Sequence, residues 1–242
     1  MGVIDQLIRQ IDEKNCPIVM GLDPLIQFIP DHIKSLSLSK FGNTIKAVTE
    51  SFLRFNQEIL QSTHQYIPAV KLQMACYEIY GAAGIEVFRQ TVALAKDYNL
   101  LVIDDSKRND IGNTANLYAA GHIGKVPLIK GFERPSQTDF VTINPYLGSD
   151  SILPFTEVCD ELKKGIFVLV RTSNRSAVEY QEATIGKQYL FEKIAEDVQK
   201  LAEVRLENSQ YSTIGAVVGA TWPEESLKLR KIMKNVLFLV PG

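Results

Sequence analysis

LVIDDSKRNDIGNT, residues Leu101 to Thr114, runs an apolar stretch straight into charge: Asp104, Asp105, Lys107, Arg108 and Asp110 follow Leu101–Ile103 with no spacer. A short run rich in Val, Ile and Leu predicts a strand from Leu100 to Asp104, buried on both faces as in a parallel sheet. Residues i and i+2 of an extended chain share a face, so Asp105 and Lys107 are expected to point into one site as a charge pair. Asp110, three residues on, falls past the strand on the turn. A lone DxKxxD pattern is only moderately specific, because charged loops commonly follow strands and exposed ion pairs contribute little. Its surroundings give it weight.

Outward from this stretch the same rhythm repeats. Further candidate strands are Ile18 to Leu22, Ala69 to Leu72, Phe140 to Ile143, Ile166 to Val170, Ile214 to Val218 and Val236 to Val240. Helical periodicity lies between them, clearest over Thr44 to Leu60, Tyr77 to Asp97, Gln188 to Glu207 and Glu224 to Lys234, with Ser39, Ser149 and Thr221 as candidate N-caps. Strand and helix alternate as in parallel α/β folds, and this pattern suits a doubly wound open sheet as well as a closed barrel. Polar residues decide between them, because they follow strand after strand: Asp23, then Lys71 and Gln73, then Asp105, Lys107 and Asp110, then Asn144, then Arg171 to Asn174, then Thr221. A barrel brings all those C-terminal ends to one mouth. The expected architecture is therefore an α/β fold of the (β/α)8 TIM-barrel class, in a single domain spanning residues 1–242. One segment breaks the rhythm, Asn113 to Thr138, which carries Gly121, Gly124, Gly131, Pro127 and Pro135 and is expected to be a long loop serving as a lid or interface.

Composition narrows the function classes. With 26 basic and 28 acidic residues and a formal charge of -2, the chain lacks the positive excess of a nucleic-acid binder. The N-terminal MGVIDQLIRQIDEKN interrupts its apolar positions with charge, unlike a signal peptide; Gln6 stands where a myristoylation signal needs Ser or Thr; and no run of 18 apolar residues predicts a membrane span. Cys16, Cys76 and Cys159 have neither CxxC nor zinc spacing, which fits a reduced, cytoplasmic protein, and Cys76 is expected in the core. His32, His64 and His122 are scattered with no partnered acid nearby in sequence, and are read as structural or surface residues rather than catalytic ones. There is no GxGxxG after the first strand and no P-loop. No metal and no cofactor is expected.

Lys71 ends its strand much as the charged burst ends Leu100 to Asp104. Alone it reads as a surface lysine; with Lys107, Asp105 and Asp110 it makes an alternating array of two cations and two anions, which keeps each lysine charged and aimed. Such an array is a proton donor, with no thiol or Ser/His pair beside it.

In order along the chain, GLDP (Gly21 to Pro24), the Lys71 strand, DSKRNDIGNT, TINPYLGSD, VRTSNRSA and VVGAT resemble the orotidine 5'-phosphate decarboxylase family, and NPYLGSD and RTSN are similar to its longer, bacterial-type branch. The resemblance implies a cofactor-free, cytoplasmic barrel enzyme of pyrimidine biosynthesis, a homodimer with shared active sites. In that family Lys71, Asp105, Lys107 and Asp110 would be the charged tetrad, with Lys107 donating a proton to C6 and Asp110 crossing into the neighbour's site. Asp23 would bind ribose hydroxyls, Thr114 would join Asp110, Thr172 and Ser173 would meet the pyrimidine edge, and Gln73 and Asn144 would neighbour ribose or phosphate. The family pattern continues past Pro241-Gly242 into a phosphate loop, an eighth strand and a closing helix, so those pieces and most phosphate contacts are expected to be missing from this sequence. Two other readings share the pattern: a magnesium-dependent sugar-phosphate aldolase or decarboxylase of the same suprafamily, which RTSN argues against, and a non-catalytic barrel binding protein.

Overall fold

The structure is a computed structural model that describes residues 1–241. In chain order its elements are α1 (Val3–Lys14), β1 (Val19–Leu22), α2 (Asp31–Phe41), α3 (Ile45–Thr63), β2 (Ala69–Gln73), α4 (Met74–Glu78), α5 (Gly81–Asp97), β3 (Leu101–Arg108) and α6 (Gly112–His122). Then come β4 (Val126–Pro127), β5 (Phe132–Glu133), β6 (Phe140–Ile143), α7 (Leu153–Leu162), β7 (Gly165–Arg171), α8 (Ala177–Gln181), β8 (Thr184–Ile185), β9 (Gln188–Tyr189), α9 (Leu190–Glu203), β10 (Ile214–Val218), α10 (Pro223–Ile232) and β11 (Phe238–Leu239). These residues form two compact units, one of Arg9–Ser106 with Arg134–Asp139, the other of Met1–Ile8, Lys107–Glu133 and Phe140 onward.

In the first unit β1 and β3 flank β2 in parallel, with Gly21 opposite Lys71 and Gln73 opposite Asp105. Leu22, Val70, Leu72 and Val102 bury one strand face against Phe52 and Leu60 of α3 and against Val87, Phe88 and Val92 of α5. Thr44 starts α3 as its N-cap, its hydroxyl accepting from the Ala47 N–H at 3.3 Å. A polar chain crosses this core: buried Asn56 donates to the Tyr77 hydroxyl (2.9 Å) and to Thr91 (3.1 Å), and Tyr77 donates to the Leu22 carbonyl at 3.1 Å. Burial pushes the Tyr77 hydroxyl far above the usual phenol range, so it remains a donor.

In the second unit β6, β7, β10 and β11 run parallel. Alternate residues Ile166, Val168 and Val170 of β7 and Ile214, Ala216 and Val218 of β10 pack against Phe155 and Cys159 of α7 and Phe191, Ala195 and Val198 of α9. On the opposite strand face Phe140 and Phe167 lie with ring centroids 5.3 Å apart. Two glycines make their room, since a Cβ on Gly165 would come within 2.5 Å of the Phe140 ring and one on Gly215 within 2.4 Å of the Phe167 ring.

All seven expected strands are present, with changed limits: β3 runs on to Arg108 and the last strand shrinks to Phe238–Leu239. The stretch Asn113 to Thr138 is not a loop. Helix α6 occupies its first half, because Ala115 and Ala119 bury a small-residue face, and β4 pairs with β5 as an antiparallel hairpin beyond it. None of the three candidate N-caps caps an α-helix: Ser39 lies inside α2, Ser149 opens a 3-10 turn ahead of α7, and α10 is entered from Trp222 with Pro at its start. In each case the local signal was a hydroxyl near an apolar run, and the chain begins its helix elsewhere. Gly242 of the expected Pro241-Gly242 turn lies outside the described residues.

Gly165→Ala is expected to destabilise the protein by about 1–3 kcal/mol, as overpacking does, because the added methyl also meets the Thr213 carbonyl at 2.9 Å. A denaturant midpoint within error of the unaltered protein would refute this account of the Phe140 packing.

Candidate active site

At the ends of β1, β2 and β3 the first unit gathers Lys71, Asp105 and Asp23. The Lys71 ammonium lies 3.0 Å from Asp105 Oδ2 and 3.5 Å from Asp23 Oδ1. Side-chain exposure is 16% for Lys71 and 9% for Asp105, so most of the water that would solvate the pair is gone and each group is the other's near partner. Parallel register makes this meeting: Lys71 pairs with Gly21, and Asp23 follows two residues on. Gln73, opposite Asp105, is half-buried at the entry to α4. Cys76 is half-buried rather than in the core as expected; burial first, and then the Asp23 carboxylate, pushes its thiol upward.

In the second unit Lys107 departs from extended geometry. Its φ is 51°, in the left-handed region, which costs a residue with a Cβ on the order of 1 kcal/mol. The strict i, i+2 alternation assumed for Asp105 and Lys107 therefore stops here. Its N–H donates to the hydroxyl of buried Thr142 at 2.9 Å, and the following carbonyl, that of Arg108, accepts from the Asn144 N–H at 3.0 Å. The Asn144 side chain folds back to accept from the Tyr146 N–H at 3.0 Å, bracing the turn after β6. Asp110 sits on the turn, its Oδ1 accepting from the Ile111 N–H at 2.8 Å, and Thr114 lies exposed in the first turn of α6.

Thr172 and Ser173, after β7, are held from several sides. Gln181 accepts from the Thr172 N–H at 3.0 Å and donates to its hydroxyl at 2.7 Å, while the Trp222 indole donates to the Thr172 carbonyl at 2.8 Å. The Thr221 hydroxyl donates to the Ser173 carbonyl at 3.1 Å, and Gly219 permits the approach, since a Cβ there would lie 2.7 Å from Ser173 N. Arg171, expected in the polar cluster of this strand end, is instead fully buried; its guanidinium pairs with Glu182 at 2.5 Å and lies 4.1 Å from the Trp222 ring.

Residues 35–242 match the model of the family described as "Orotidine 5'-phosphate decarboxylase / HUMPS family". The chain belongs to this family. It is 38% identical over 238 residues to an orotidine 5'-phosphate decarboxylase of Caldicellulosiruptor saccharolyticus, covering 98% of this chain and 78% of that protein. A Clostridium perfringens orotidine 5'-phosphate decarboxylase is 37% identical over 242 residues, covering 99% and 78%. The solved structure of Leishmania donovani OMP decarboxylase aligns with all of this chain and 80% of its own at a TM-score of 0.76 and 28% identity. Membership of the decarboxylase family carries with it the (β/α)-barrel fold class and enzymatic decarboxylation in pyrimidine biosynthesis. Among the described residues no group of three or more His, Cys, Asp or Glu side chains is arranged to hold a metal ion, and no helix is long and apolar enough to cross a membrane.

Sequence reading of this decarboxylase-family chain missed Thr142, Gln181 and Trp222. Thr142 lies within the quoted TINPYLGSD and looks there like one more strand residue; only the left-handed turn at Lys107 gives its hydroxyl a donor to meet. Thr142→Val should lower turnover on the order of tenfold by leaving that N–H without its acceptor, with Thr142→Ser recovering most of it. Equal rates for the valine and serine variants would remove Thr142 from the device that sets Lys107.

Proposed function

We propose that this chain converts orotidine 5'-phosphate to uridine 5'-phosphate, with Lys107 as proton donor and Lys71, Asp105 and Asp110 completing a charged array around the reacting carbon. The observation that carries the reading is the largely desolvated Lys71–Asp105 pair at the ends of neighbouring parallel strands. Cleavage of the bond between C6 and the carboxylate releases carbon dioxide and leaves the electron pair on C6, in the ring plane and out of conjugation with the carbonyls. An ammonium beside C6 stabilises that charge and then transfers a proton to it, so that the C–H bond forms as the lysine becomes a neutral amine, later reprotonated from water. Asp105 keeps Lys71 charged and aimed, so that the array presents fixed charges that need no rearrangement during the reaction.

In this proposal Asp23 binds the ribose hydroxyls, Gln73 and Asn144 neighbour ribose or phosphate, and Thr172 and Ser173 hold the pyrimidine edge. Residues 1–242 act as a single domain, a reading supported by one family model that runs through both compact units. The enzyme is a cytoplasmic homodimer in which Asp110 and Thr114 serve the neighbouring subunit's site, and it works without metal or organic cofactor.

Lys107→Ala should reduce decarboxylation by on the order of a thousandfold or more while the denaturant midpoint stays unchanged; near-normal turnover would sink the assignment. Mixing Lys107→Ala with Asp110→Ala subunits should restore activity, since one site of the mixed dimer carries neither defect. No rescue, with subunit exchange verified, would place Asp110 in its own chain's site. Activity should survive EDTA, and a magnesium requirement would instead favour the sugar-phosphate relatives.

A further inference from the structure

The hydroxyl of Thr172 is wired at both ends. A backbone N–H can only donate, so the Gln181 atom 3.0 Å from Thr172 N is the amide oxygen, and this fixes the orientation of the whole Gln181 amide. Its Nε2, a donor only, then faces Thr172 Oγ1 at 2.7 Å and fills one of the hydroxyl's two lone pairs. The hydroxyl's own proton goes to Asn174 Oδ1, also at 2.7 Å. One lone pair is left, and no proton. The rest of the turn holds the residue still: its carbonyl is taken by the Trp222 indole, and Glu182, next to Gln181, grips the buried Arg171 that precedes it.

We infer that Asn174 is a specificity-determining residue acting through Thr172: by taking the hydroxyl proton it leaves Thr172 able to meet a ligand only as a hydrogen-bond acceptor, so the site selects a pyrimidine edge that carries an N–H. A uracil-type ring offers such an N–H at position 3, whereas a cytosine-type ring has a bare lone pair there, which would face the remaining lone pair of Thr172 and repel it. Discrimination arises because a polar group covered by a ligand that offers it no complement loses its water without a hydrogen bond in return. The inference rests on the proposed placement of Thr172 at the pyrimidine edge. Asn174 is a positioning residue here, exposed on the turn and needing no contact with the ring.

The experiment is calorimetric titration with uridine 5'-phosphate and cytidine 5'-phosphate, whose shared ribose and phosphate cancel in the ratio of affinities. The unaltered protein should prefer the uridine nucleotide. Asn174→Ala should narrow that preference about tenfold, chiefly by tighter binding of the cytidine nucleotide, because the hydroxyl proton is freed to donate to the ring. Asn174→Asp, whose carboxylate can only accept, should keep the preference intact. An unchanged ratio in the alanine variant, or a collapsed one in the aspartate variant, would overturn the role of Asn174. Thr172→Val separates this from the underlying reading: if it abolishes the preference while Asn174→Ala does not, the pyrimidine-edge placement stands and the Asn174 inference falls. If Thr172→Val leaves the ratio untouched, both fall.

Discussion

A lysine stripped of most of its water must find a carboxylate, and much in the first unit follows from that need. Lys71 sits on the middle strand of three, with 16% of its side chain exposed, and β1 and β3 each deliver an aspartate to its ammonium. Register does the delivering. A one-residue slip of β3 against β2 would turn Asp105 to the other face and leave the ammonium with only the more distant Asp23 carboxylate at 3.5 Å. The apolar packing of Leu22, Val70, Leu72 and Val102 on α3 and α5 opposes that slip, so core and charge specify the same register.

The second unit uses a different device, side chains that satisfy backbone groups where regular structure stops. β3 ends in a left-handed lysine whose N–H is received by a threonine hydroxyl, and β7 ends in a turn whose N–H and carbonyl are received by Gln181 and Trp222. Each substitution of side chain for ladder keeps the backbone satisfied while freeing the strand end from the sheet's repeat. Arg171 anchors this arrangement from beneath. Its burial is costly, and a carboxylate partner in Glu182 together with the cation–π contact with Trp222 offsets the loss of water, although its Nε and Nη1 find no hydrogen-bond partner among the described residues.

The parallel strands, the long helices α3, α5 and α9 and the family were legible in the linear order of residues, because they depend on local periodicity and on motifs whose order alone is diagnostic. Apolar runs of four or five residues, separated by helical stretches, can bury both faces in few other ways. The segment after Thr114 was misread for the same reason: its glycines and prolines signal turns locally, whereas Ala115 and Ala119 become a helix face only when a core exists to cover them. What required the tertiary structure were the partners of the polar groups. Asp105 faces Lys71, thirty-four positions away in the chain, and Lys107 leans on Thr142, thirty-five away, separations at which spacing carries no information and strand register carries all of it. Nor does any neighbouring residue announce that Lys107 turns left-handed, since that conformation is unfavourable for lysine by itself and persists because the surrounding hydrogen bonds hold it there.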